Sequence, residues 1–247
     1  MADYSDYRGD SPGAGPPASV EPPPVPRLTI ISYAVLTLLA LVWPLASFLF
    51  VEDQLNLAQE TANPITEVYL PTMAFQLATL LIVAIAVRSE RDSPSGIGLG
   101  RFRWWSLPVG ITFLVAANFA LMLLQNLVLS HAPASIAEIT PLLPHTSGER
   151  SVWALLCVVV AFSEEITFRG YLITRLALLT GNRRWIGVLI SSVAFASGHL
   201  YQGFGGFLLI FVYGLMFSAL FLATRSLYPG IIAHFLQDIA ATFVADI

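Results

Sequence analysis

Six ionisable residues in the C-terminal half of the chain could do chemistry. They are Glu164, Glu165 and Arg169 in "AFSEEITFRGYL", His199 in "FASGH", and His234 with Asp238 in "HFLQD". All six lie in or at the ends of apolar runs. An ionisable group within a membrane segment costs about 2.5 to 3.5 kcal/mol on insertion scales, so each needs a reason to be there. A carboxylate beside an imidazole supplies one: it can take a proton from water and deliver it to a leaving group. Two histidines and a carboxylate are also a recognised catalytic zinc set.

Spacing divides the roles. On a helix Glu165 and Arg169 are four apart and can pair, whereas Glu164 points about a hundred degrees away and is left to face a cavity. Taken alone, the two acids fit a solvated helix end equally well, and His199 alone fits a hydrogen-bonded interface residue. His234 and Asp238 stand one helical turn apart, so the carboxylate could fix the imidazole tautomer or hold a second polar group. His131 and His145 fall between the third and fourth spans and read as solvated. Cys157 is the sole cysteine, which excludes an intrachain disulfide and a cysteine-based zinc site; it reads as a small buried hydrophobe.

The elements that must position these residues are membrane helices. The chain of 247 residues is 56% hydrophobic and 11% charged, where an ordinary soluble domain has about 25% charged residues. The formal charge of -4 includes no basic block, which sets nucleic acid aside. Residues 1–27 are rich in proline, glycine and acid and read as a disordered tail without the pattern of a cleavable signal. Residues 28–247 read as one membrane domain. Uncharged runs at 28–51, 68–87 and 104 to about 129 each suit a bilayer core of about 30 Å.

A fourth helix begins near Ser151, carries the glutamates and continues to about Thr180, where "GNRR" supplies a turn. The uncharged stretch 185–224 is broken by "GHLYQGFGG" into two helices, and "RSLYPG" leads into a last one. The expected fold is therefore an all-α polytopic bundle of seven or eight transmembrane helices. At 1.5 Å per residue Glu164 lies roughly 24 Å before Thr180 and His199 roughly 22 Å after Arg184, so they can meet at one level. His234 and Asp238 lie roughly 13 and 20 Å beyond Arg225, and helix tilt must bring His234 into reach.

Three ordered motifs over about residues 151–242 resemble the CAAX protease and bacteriocin-processing (Abi, or CPBP) family of intramembrane proteases. "EEITFR" matches two glutamates followed by arginine after three residues. "FASGH" matches phenylalanine and histidine separated by three, and "HFLQD" matches histidine followed four residues on by asparagine or aspartate. Asp238 is a variant where prenyl-protein proteases of the family commonly have asparagine. The resemblance implies that Glu164 and His199 activate a water while His234 and Asp238 support the opposite side of the site, with Glu165 and Arg169 accessory. It also implies a substrate that is a membrane-associated protein or peptide, with a prenylated C-terminal peptide the best-known case.

Both mechanisms stay open on the residues: a metal-free glutamate peptidase, which is favoured, and a zinc metalloprotease holding its ion with Glu164, His199 and His234. The rival readings are a non-catalytic scaffold or immunity protein and, behind it, a proton-coupled transporter. The arginines suggest an orientation. Arg88, Arg91, Arg101 and Arg103 follow the second span and Arg183 and Arg184 follow the fourth, whereas Glu52, Asp53, Glu60 and Glu67 follow the first. The expectation is a bacterial cell-membrane protein with its N-terminus in the cytoplasm and a site that opens towards the cytoplasm.

Overall fold

The computed structural model describes residues 26–131 and 140–244. Nearly all of the expected N-terminal tail lies outside the described residues. Every regular element among them is helical. We number the main helices α1 (Ile30–Leu49), α2 (Val51–Glu60), α3 (Ile65–Ser89), α4 (Ser106–His131), α5 (Ser147–Leu179), α6 (Arg184–Ser197), α7 (Gly203–Thr224) and α8 (Tyr228–Val244).

Among the described residues, five helices are long and apolar enough to cross a membrane: α1, α3, α4, α5 and the segment Leu200–Thr224 that contains α7. Together with the family match given below, they mark the chain as an integral membrane protein. The sequence suggested seven or eight spans, and the difference lies in α6 and α8. Among the described residues α6 has 14 residues and α8 has 17, about 21 and 26 Å, and counting both as crossings gives seven.

Local chemistry sets the helix limits. Thr29 caps α1 and Thr146 caps α5, each in a reciprocal capping box with the residue three positions on, Ser32 and Glu149. Gly181 and Asn182, both with positive φ, make the turn between α5 and α6, as "GNRR" predicts. The break at "GHLYQGFGG" is a single 3-10 turn over Leu200–Gln202, and Gly203 at φ 78° redirects the chain into α7.

Helix α5 is the centre of the bundle. Half of its apolar window is buried, against a third or less in the other candidate spans. It packs on α3, α6 and α8, while α4 packs on α7 and α8 and α6 on α7 and α1. Close approach requires glycine at two of these seams. A Cβ at Gly187 on α6 would stand 2.7 Å from the Ile173 carbonyl oxygen of α5, and one at Gly110 on α4 would stand 2.7 Å from the Pro229 carbonyl oxygen of α8. The outside is apolar, as lipid contact requires: Val115, Phe119 and Leu127 on α4 and Leu41 and Phe48 on α1 are all exposed.

The two ends of the bundle differ in charge. At one end the start of α1, the α3–α4 connection, the α5–α6 turn and the α7–α8 connection come together. Thr29 and Ser89 share a 2.7 Å hydroxyl hydrogen bond, the Leu227 N–H donates to Gly98 O at 3.1 Å and the Tyr228 hydroxyl donates to Gly100 O at 3.0 Å. Below this end Arg175 is buried between two acids of the α3–α4 connection, donating to Glu90 at 2.8 Å and Asp92 at 2.6 Å. Arg27, Arg88, Arg91, Arg101, Arg103, Arg183, Arg184 and Arg225 all belong to this arginine end. The opposite end holds α2, the start of α5 and the α6–α7 turn. Its described charges are Glu52, Asp53, Glu60, Glu67, Glu149 and Arg150.

Candidate active site

The glutamates sit where α5 changes its winding. From Glu165 to Leu172 the helix widens into π-type hydrogen bonding, and every residue of that stretch is buried. Such widenings favour functional positions because they re-aim side chains that α-helical winding would separate. Here Glu164 and Glu165 straddle one imidazole, that of His234. Glu165 Oε1 is 3.1 Å from His234 Nδ1 and Glu164 Oε2 is 3.6 Å from Nε2. Glu165 also lies 3.1 Å from Arg169 Nη1, the contact that the i,i+4 spacing predicts. The sequence did not anticipate its second partner.

Arg169 completes a buried layer behind the imidazole. Its guanidinium lies 4.1 Å above the Phe195 ring and 5.1 Å from that of Phe217, an arrangement that holds a cation against ring quadrupoles. None of its nitrogens makes a well-directed hydrogen bond among the described residues. Its partners there are the Glu165 charge and the two rings. Gly230, one turn before His234 on α8, makes room for Glu165: a Cβ there would stand 2.8 Å from Glu165 Oε2.

In front of the imidazole is a cavity of about 810 Å³ whose wall includes Glu164, His199, Tyr201, His234 and Asp238. The structure thus brings together the four residues expected from spacing and resemblance. Asp238 Oδ2 is 3.6 Å from His234 Nε2, one turn along α8. His199 stands across the Phe195 ring from His234, with ring centroids 5.1 and 6.0 Å away. The Phe195 carbonyl can only accept, so its 3.1 Å contact with His199 Nδ1 places a proton on that nitrogen. In the neutral ring Nε2 is then an acceptor. Glu165 and Arg169 are not part of the cavity wall. His131 and His145 are exposed and away from it, as the sequence suggests; Cys157 is buried in the wall.

Two contacts were not read from the sequence. Gln76, in the middle of α3, donates its amide to Glu164 Oε1 at 2.7 Å, and the Gln76 carbonyl accepts from Ser163 Oγ at 2.9 Å. Trp153 on α5 donates its indole N–H to the Asp238 carbonyl at 3.1 Å. The missed signal was an amide side chain inside an uncharged membrane run, a placement that normally implies a polar partner on a neighbouring helix. With Gln76 on Oε1, Glu164 Oε2 is buried without a hydrogen-bond partner among the described residues.

Among the described residues, no three His, Cys, Asp or Glu side chains are grouped as a metal ion would need. Glu164, His199 and His234 share a wall without converging on one point.

The cavity wall runs from Glu164 and His234 to Gln54, Leu57 and Ala58 of α2, Glu67, Leu142 and Gln202, and also takes in Thr79 of α3 and Thr167 and Phe168 of α5.

The fold and cavity define a membrane helix bundle built around a carboxylate–imidazole cluster. Residues 146–240 match the family model described as type II CAAX prenyl endopeptidase Rce1-like. The match covers the segment that carries the three motifs and supports membership of the CAAX protease family that they resemble. No curated protein and no solved structure matches the chain.

Proposed function

We propose that the chain is an intramembrane endopeptidase in which Glu164 activates a water for attack on a peptide bond. The observation that carries this reading is the state of the Glu164 carboxylate. Gln76 fixes one oxygen, while the other is buried, unbonded and 3.6 Å from His234 Nε2 at the wall of a cavity. A carboxylate that only solvated a helix end would be exposed, whereas Glu164 is 8% exposed and faces an imidazole.

In this mechanism Glu164 Oε2 takes a proton from a water as the water oxygen bonds to the scissile carbonyl carbon. His199 Nε2 holds the same water from across the cavity. The carbonyl oxygen becomes an oxyanion, towards which His234 Nε2 donates. With Nδ1 donating to Glu165, that donation requires the imidazolium form, and Glu164, Glu165 and Asp238 around the ring supply its counter-charge. Collapse of the tetrahedral intermediate breaks the C–N bond, and Glu164 returns its proton to the departing amine. The products are a carboxyl and an amino terminus. No serine or cysteine nucleophile is needed, and no step passes through a metal.

The substrate is a membrane-associated protein or peptide, and a prenylated C-terminal segment is the first candidate from the family's description. The test is cleavage of a fluorogenic prenylated-peptide panel and of co-expressed membrane proteins by wild type and Glu164→Ala, each with and without phenanthroline. The reading expects product from the wild type in both conditions and none from Glu164→Ala. Loss of wild-type product on chelation would replace the glutamate mechanism with a metal-dependent one. Flux through the bundle without any cleaved product would favour a transporter instead.

A further inference from the structure

We infer that the arginine end of the bundle carries a binding site for the phosphate headgroup of an acidic phospholipid, in a cavity between the end of α5, the start of α6, the end of α7 and the α3–α4 connection. The site is separate from the carboxylate–imidazole cluster and does not depend on the peptidase reading. Its lining, its charge and its level in the membrane carry the inference.

The cavity has a volume of about 350 Å³, within the range of about 300 to 1,000 Å³ usual for small-molecule sites. Its lining holds three arginines, Arg175, Arg184 and Arg225, and no carboxylate. Arg175 is buried and directs its donors to Glu90, Asp92 and the Thr174 hydroxyl, so it is a fixed part of the wall. Arg184 and Arg225 are exposed, and their side chains make no hydrogen bond or ion pair among the described residues. The same holds for the side-chain amide of Asn182, which also lines the cavity. Two guanidinium forks and an amide are thus available to one ligand, and a guanidinium matches phosphate oxygens bidentately. Arg225 ends α7 in the left-handed region at φ 53°, where glycine sits with less strain. An arginine held there against its backbone preference points to a use for its side chain.

Level and lining select a lipid. Among the described residues the exposed tryptophans are Trp104, Trp105 and Trp185, and all three lie at the arginine end. Tryptophan belts mark the headgroup level of a bilayer, and Trp185 directly follows Arg184 at the start of α6. The lining also includes Leu178, Phe221 and Leu222, apolar surface that suits the start of an acyl chain. Basic pockets between membrane helices are a recurrent form of anionic headgroup site. With no carboxylate in the lining, the ammonium of a zwitterionic headgroup has no partner there, and the charge favours a headgroup with a net negative one. A lipid in this place joins α5, the helix that carries Glu164 and Glu165, to α6 and α7.

The test uses the full chain in detergent, stripped of lipid, with binding read by native mass spectrometry. The probes are dihexanoyl phosphatidylglycerol, dihexanoyl phosphatidylcholine and inorganic phosphate. One phosphatidylglycerol is expected to bind about tenfold or more tightly than either of the others, as two unpaired arginines allow. Arg184→Gln and Arg225→Gly each weaken it about fivefold, the usual weight of one basic residue near a membrane surface, and together about 25-fold. Arg225→Gly also relieves the left-handed backbone, so its melting temperature without lipid does not fall, which separates lost binding from lost folding. The pair Arg101→Gln with Arg103→Gln, exposed at the same end and outside the cavity, removes the same charge and keeps the affinity. Equal binding of phosphatidylglycerol and phosphatidylcholine, or an equal loss in the Arg101 and Arg103 pair, would overturn the site in favour of diffuse surface charge. Inorganic phosphate that binds as tightly as phosphatidylglycerol would overturn the lipid and assign the cavity to free phosphate. No arm of the test reads cleavage, so a chain without peptidase activity gives the same answer.

Discussion

Replacing Gln76 by leucine removes one atom group from the site and leaves the motif residues in place. The Gln76 amide is 2.7 Å from Glu164 Oε1, and leucine has no donor to put in its place. A hydrogen bond to a charged partner contributes about 1.5 to 3 kcal/mol. At about 1.4 kcal/mol per factor of ten, that becomes roughly a 10- to 150-fold fall in rate. The loss falls on kcat, because Gln76 acts as a positioning residue: it keeps Oε2, not Oε1, turned to the water. Gln76→Met, which keeps the length without the donor, behaves like Gln76→Leu, and Gln76→Glu sets a second carboxylate against the first and loses more. Initial rates in nanodiscs, with thermal unfolding of the same samples, read all three. An unchanged kcat in Gln76→Leu, or a change confined to KM, would refute the claim that α3 orients the base.

Further substitutions test the layers around the imidazole. Gly230→Ala puts a methyl group 2.8 Å from Glu165 Oε2 and 3.5 Å from Phe217; overpacking of this kind costs about 1 to 3 kcal/mol, and the expected result is a lower melting temperature together with a fall in kcat. Trp153→Phe removes the indole donor from the Asp238 carbonyl. The net cost of such a bond is about 0.5 to 1.5 kcal/mol, so kcat falls by less than in Gln76→Leu while the bundle stays folded. Arg175→Met leaves Glu90 and Asp92 without their cation in a buried place. Breaking one partner of such a cluster costs about 3 to 5 kcal/mol, seen as loss of folded protein on size-exclusion chromatography, and adding Glu90→Gln restores part of it.

The helical class, the α5–α6 turn and the break before α7 were legible because they rest on uncharged run length and on Gly and Asn signals that act locally. The proximity of Glu164, His199, His234 and Asp238 was legible through motif order and through helix rise, which placed the residues at similar depth. The winding of α5 was not. An α-helical wheel separates Glu164 from Glu165, and only the widened stretch Glu165–Leu172 lets both carboxylates reach His234. Gln76 and Trp153 escaped because their partners are far along the chain and no spacing rule links them. The expected count of seven or eight spans includes the segments now seen as α6 and α8, beside the five candidate spans among the described residues.

The central claim is that Glu164 is the base. Its most direct test is single-turnover cleavage by wild type and Glu164→Gln in matched nanodiscs, with a substrate taken from the panel. Glutamine keeps the size of the side chain and cannot take the proton. The account predicts a rate lower by about 10²- to 10⁴-fold, the usual contribution of a positioned general base, with an unchanged melting temperature. Cleavage by Glu164→Gln at the wild-type rate would contradict it.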